Sequence, residues 1–180
     1  GWGPRGMMMV VGPGAMLGEL AIFALLPVLS PKRFEVESFV HTYLRIMLAV
    51  ILLAGYVTAV LLFAGITGHV DVTAALFGGI SVVLVFLGNL MGKVRRNFFI
   101  GIRTPWTLAN ERVWYATHRL AGKTIVATGI ASFAAALWGG LAGTVAWLAL
   151  VLAGVLIPVV YSFVHYKALE REGELGAPGM

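Results

Sequence analysis

The chain of 180 residues contains no cysteine. Disulfides, thiolate metal sites and cysteine nucleophiles are therefore all excluded. Charge is scarce as well. Asp, Glu, Lys and Arg make up 12% of the residues, about half the share usual in a soluble domain. No basic segment leads into a short apolar core with a cleavage site, so no signal peptide is read at the start. Nothing resembles a Ser-His-Asp order, a phosphate loop or a pair of catalytic carboxylates. His41, His118 and His165 lack the spacing of metal ligands. The expectation is a non-enzymatic protein with no metal and no cofactor.

What remains is apolar. Hydrophobic residues are 59% of the chain, and the mean hydropathy is +0.92. A surface of that composition belongs in lipid. The pI near 9.9 reflects loop charges, so no direct nucleic-acid partner is expected. A bilayer core asks for about 20 apolar residues per helix. Five segments meet this, at about 7–29, 43–66, 72–91, 121–138 and 141–166. The predicted fold is all-α: a polytopic transmembrane helical bundle forming one membrane domain over 1–180, with a polar loop at 92–120. Ser30-Pro31 closes the first span, Gly65–Gly68 the second, and Gly139-Gly140 joins the last two in a tight turn. Gly14 and Gly18, and the small residues of the fourth span, are expected helix-contact faces.

Basic residues orient the bundle. Twelve of the 13 Lys and Arg residues, among them Lys32, Arg33, Arg45, Lys123, Lys167 and Arg171, fall on one side of the five spans; only Arg5 falls on the other. This predicts a multi-pass protein of a prokaryotic plasma (inner) membrane, its first residue outside and its C-terminus cytosolic. Trp138 and Trp147 suit the outer interface, Trp106 and Trp114 the inner one.

Six of the 13 basic residues lie between Lys93 and Arg119, with Glu111 as the only acid there. Lys93, Arg95 and Arg96 fall at headgroup depth, where each gains about 1 kcal/mol from an anionic leaflet. Anchoring explains those three and leaves the centre of the loop, FIGIRTPWTLANERVWYATHR, unexplained. Thr104 reads as an N-cap with Pro105 at the first helical position. From there an amphipathic helix of about 12 residues is expected to lie in the cytosolic interface, with Trp106, Val113, Trp114 and Thr117 on one face and the indoles among headgroups. Gly101 permits a sharp turn before it. Arg103 is a bidentate donor suited to carboxylate or phosphate, and Glu111 is placed to pair with Arg103 or Arg119. Asn89, near the inner end of the third span, is expected to bond a neighbouring helix. Glu19 is the one acid inside a span, where a carboxylate is expensive and is usually paired or functional.

The order Gly88-Asn89, Lys93, Asn97, Phe99, Gly101-Ile102-Arg103-Thr104-Pro105-Trp106-Thr107-Leu108, Glu111, Val113-Trp114, Thr117-His118-Arg119 and Gly122 resembles the signature of the SdpI family of bacterial multispanning membrane proteins. The resemblance runs over about residues 40–165. Family members commonly begin with a further span and an outside segment. The opening GWGPRG looks like the end of that segment, and restoring the span would give six. The founding member protects its cell from a secreted peptide toxin and holds a transcriptional repressor at the membrane. The resemblance therefore implies immunity to a membrane-active peptide, membrane signalling through the loop, or both. The implied partners are the bilayer and its anionic headgroups, a peptide toxin and a cytosolic repressor, with a homo-oligomer or larger complex as a setting. The implied binding motif is Asn89, Lys93, Asn97, Gly101, Arg103, Thr104, Pro105, Trp106, Thr107, Glu111, Trp114, Thr117, His118 and Arg119. Three alternatives stay open: a small transporter lined by Glu19 and Asn89, a headgroup-binding subunit of a larger complex, and an enzyme on lipid headgroups using Arg103, Glu111 and His118.

Overall fold

The computed structural model describes residues 5–29 and 39–175. These form six helices: α1 (Arg5–Leu25), α2 (Val40–Thr67), α3 (Val72–Met91), α4 (Pro105–Ala109), α5 (Glu111–Trp138) and α6 (Gly140–Arg171). No strand occurs among the described residues. The helices α2, α3, α5 and α6 are long and apolar enough to cross a membrane. In α1 the apolar stretch is shorter, Met9–Leu25, about 26 Å at ~1.5 Å per residue. Four candidate spans are thus established by length and composition. The segment with Lys32, Arg33 and the Ser30-Pro31 stop lies outside the described residues.

Local chemistry sets the helix ends. Gly68, at φ 69°, closes α2 by donating its N–H to the Ala64 carbonyl, a left-handed cap that favours glycine. Asp71 caps α3 by accepting from Ala74 N at 2.9 Å. Pro158 lies inside α6 and has no N–H to give the Gly154 carbonyl four residues earlier. Thr124 of α5 fills that gap, donating from Oγ1 to Gly154 O at 3.1 Å. Re-satisfying a backbone group freed by proline is what a lipid environment requires.

The helices lie in the packing order α1–α2–α3–α5–α6, with α5 at the centre against α3 and α6 and α1 packed on α2. Small residues make the α3–α5 seam. A Cβ on Gly88 would lie 3.0 Å from Val126 N, and one on Gly122 would lie 3.0 Å from Gly88 O. The expected contact face of the fourth span is therefore real. Gly14 and Gly18 meet nothing within 4 Å; Gly12 makes the contact instead, against Thr58. Trp147 also departs from expectation. It is buried, stacked 4.2 Å from Phe77, with its indole N–H on Ser81 Oγ at 2.9 Å. An indole so satisfied is a core residue, not an interfacial anchor. Trp138 is 73% exposed.

Candidate functional site

The motif loop is built outward from Asn97. After α3 the chain makes two tight turns, Lys93 N to Leu90 O and Val94 N to Met91 O. Asn97 is fully buried. Its Oδ1 accepts from Phe99 N at 2.8 Å and Ile100 N at 2.7 Å. Its Nδ2 donates to Arg95 O at 2.8 Å and Ile100 O at 3.0 Å. A side-chain amide offers about four such bonds, and here all are spent folding residues 95–100 onto themselves.

Gly101 follows at φ 111°, a region L side chains rarely adopt. Space forbids a side chain as well, because a Cβ there would sit 2.2 Å from His118 Nε2. His118 is 1% exposed. Its Nε2 accepts from Ile102 N at 3.0 Å, and its Nδ1 faces Trp114 O at 2.8 Å. These partners assign the proton to Nδ1. The imidazole stacks on Trp114 with ring centroids 4.0 Å apart. Trp114 in turn donates from Nε1 to Val94 O at 2.9 Å. Two side chains of one helix thus hold both ends of the loop, Trp114 at Val94 and His118 at Ile102. Around them close Val94, Leu90, Met91, Tyr43, Ile46 and Phe39.

Thr104 caps α4 in a reciprocal box. Thr107 N donates to Thr104 Oγ1 at 3.3 Å, and Thr104 N to Thr107 Oγ1 at 2.9 Å. Pro105 is at the first turn, as expected. Thr107, fully buried, also reaches Ile102 O at 2.8 Å. Trp106 donates from its indole to Ser162 Oγ and meets Phe163 edge-on at 5.2 Å. The loop is thereby pinned to α6.

The expected 12-residue interfacial helix is corrected to two helices that meet at Asn110. That residue is extended, at φ −135° and ψ 128°, and caps α5. Its Oδ1 accepts from Arg112 N at 2.8 Å and Val113 N at 3.2 Å. Short polar side chains compete with the helix backbone in this way. Val113, Trp114, Thr117 and His118 consequently belong to the first turns of a long bundle helix and are buried. The placement of the Trp114 indole among headgroups is therefore overturned.

The charged residues take other partners than expected. Glu111 lies 3.9 Å from Arg96, not against Arg103 or Arg119. Arg96 also donates to Leu108 O at 3.2 Å. Arg103 donates to Phe98 O, and Arg112 pairs with Glu174. Asn89 is exposed and donates to Val85 O of its own helix at 3.3 Å, so the expected bond to a neighbour is replaced by one within α3. Thr117 Oγ1 is buried without a hydrogen-bond partner. Lys93, Arg95, Arg103, Arg112 and Arg119 are exposed. Glu19 is brought into none of this; it lines a groove between α1 and α2.

Two consequences follow. The trio considered for headgroup chemistry does not converge, because Arg103, Glu111 and His118 each have separate partners, and both His118 ring nitrogens are engaged by backbone. Among the described residues no three His, Asp or Glu side chains gather as a metal site. Sequence reasoning also missed residues. Ser162, fully buried and bonded to Trp106, carried no signal beyond a hydroxyl in an apolar run. Val94 was read only as a neighbour in a basic stretch, and Arg96 only as a headgroup-depth anchor.

The family described as SdpI/YfhL protein family matches residues 93–162, which begin in the loop and end at Ser162. The immunity protein SdpI of Bacillus subtilis (strain 168) is 34% identical over 88 residues, covering 49% of this chain and 42% of that protein. The aligned stretch thus spans less than half of that relative. No solved structure matches the chain. The family's match lies over the packed loop and the helices it is pinned to, and together with the aligned relative it supports assignment to the SdpI family.

Proposed function

We propose that this chain is a non-enzymatic immunity or signalling protein of the plasma membrane, in which the motif loop is the partner-binding surface. In this reading α1 completes a fifth span, the N-terminal residue is outside, and the loop and C-terminus are cytosolic. The twelve-to-one split of basic residues favours that orientation. The observation that carries the proposal is the division of labour in the loop. The side chains of Asn97, Thr104, Thr107 and His118 are spent in holding a shape, while Lys93, Arg95, Arg103, Arg112 and Arg119 stay exposed. A rigid platform with exposed cations suits recognition of an anionic surface, whether headgroups or an acidic patch on a cytosolic repressor. Immunity is taken from the aligned relative, which is named an immunity protein; a membrane-active peptide as the agent is what the resemblance of the motif implies. Transport is less favoured, since the cavity between α2, α3 and α5, about 550 Å³, is walled by side chains such as Leu53, Val82 and Phe133.

The test is survival of cells lacking the protein, or carrying it, when challenged with a panel of membrane-active peptides. Protection should depend on the protein. Arg103→Ala and Trp106→Ala should abolish it while expression and topology stay normal. Equal survival with and without the protein across the panel refutes immunity. Variants that fail to insert would make the motif a folding element only.

A further inference from the structure

Glu19 lies on the side of α1 that faces α2. The two helices run antiparallel. Gly12 meets Thr58, Met16 meets Gly55, and Phe23 meets Tyr43 edge-on at 5.9 Å. Glu19 falls between these contacts, opposite Val50–Ala54. That level is about 15–21 Å from the Val40 end of α2 at ~1.5 Å per residue, well inside a bilayer of about 30 Å. One carboxylate oxygen, Oε2, is buried and has no hydrogen-bond partner.

The groove around it measures about 460 Å³ and is lined by Gly12, Ala15, Leu53, Ala54 and Thr58 among others. Thr58 is the one hydroxyl in the wall among the described residues, and it donates to Ala54 O at 2.9 Å. Among the described residues no Lys or Arg lines the groove. An acid in hydrocarbon is normally paired, and this one has no cation beside it among the described residues. The groove is approached from the lipid side, where Gly14, Ala15 and Gly18 are exposed. A Cβ on Gly14 or Gly18 would meet nothing within 4 Å. Small residues on a lipid-facing surface permit close approach of another helix. A hydrated ion reaching that depth would have to shed its water, whereas a basic side chain on an inserted helix arrives already in the membrane.

We propose that the α1–α2 groove receives a membrane-inserted peptide helix and that Glu19 pairs with a Lys or Arg on that helix at mid-bilayer depth. The inference rests on the immunity reading for the origin of the peptide. The site itself rests on the orphaned carboxylate, the uncharged walls and the small-residue surface beside them. The motif loop would then be the output face of the protein and the groove its input face.

The test uses the full chain in lipid nanodiscs, labelled as an energy-transfer donor. Two synthetic Leu-rich transmembrane peptides carry the acceptor and differ only in a central Lys or Leu. The Lys peptide should bind about tenfold more tightly than the Leu peptide. Glu19→Gln, which keeps the shape and loses the charge, should erase the difference. Glu19→Lys should turn the preference toward a peptide with a central Asp. Equal binding of the Lys and Leu peptides, or a Lys preference that survives in Glu19→Gln, overturns the proposal. Transfer between two labelled copies of this chain, lost in Glu19→Gln, would assign the groove to a second copy and also overturn it. The helical content of each variant, measured alongside, separates misfolding from lost recognition. Lys-selective binding without cell protection would sink the immunity reading and leave the groove assignment standing.

Discussion

The motif loop and the α1–α2 pair handle polar groups in opposite ways. In the loop, Asn97, Thr107 and His118 are almost wholly buried and bonded. In α1, large apolar side chains such as Leu17 and Ile22 are 67% and 59% exposed, and the single acid keeps an unpartnered oxygen. A fully satisfied polar network rigidifies and specifies one conformation. The two regions differ in kind: Asn97, Thr107 and His118 are bonded within the chain, whereas Glu19 Oε2 has no partner among the described residues.

That contrast can be broken by mutation. The largest effect is expected for Trp114→Ala. It empties a site of full burial and removes the bond to Val94 O, costing about 3–5 kcal/mol. Thermal unfolding of the purified protein would show it, with Leu17→Ala on α1 staying within about 0.5 kcal/mol. Comparable losses for both would end the distinction between a locked loop and a loosely held helix. Asn97→Ala comes next, at about 3 kcal/mol, since each buried group left unpaired costs about 1–3 kcal/mol. Hydrogen exchange should quicken at Phe99 and Ile100 before the spans respond. Thr104→Ala removes one half of the reciprocal cap, worth about 1 kcal/mol, and should loosen α4 with little change in global unfolding. Smallest is Glu111→Gln. Its pair with Arg96 spans 3.9 Å and the carboxylate is 61% exposed, so less than about 0.5 kcal/mol is expected. A larger loss there, read from unfolding at low and high salt, would mean that electrostatics help hold the loop.

Much of this was legible without coordinates, and the exceptions have a common cause. The Thr104–Pro105 helix start was readable because capping is local chemistry within three residues. The interruption at Asn110 was not, because periodicity places Trp106, Val113 and Trp114 on one face whether or not the helix is continuous. Glu111 was assigned to Arg103 or Arg119 on charge alone, and the fold turned Arg96 toward it instead. Interfacial tryptophans were expected from their polar tips. Trp114 and Trp147 are buried because each indole N–H finds an oxygen on another segment, Val94 O and Ser81 Oγ.

What the sequence determined by itself is the apolar solvent of the helices and the family-like motif. Hydropathy, the lack of charge and the grouping of basic residues depend only on residue identity and order, so the four long apolar helices and the family signature could be read directly. Only the tertiary structure decided how the motif is spent. His118 meets Ile102 across 16 residues and Trp106 meets Ser162 across 56, and Thr124 supplies the bond that Pro158 denies to Gly154. These partners are set by which helix faces which. A linear pattern cannot encode that where every face is apolar.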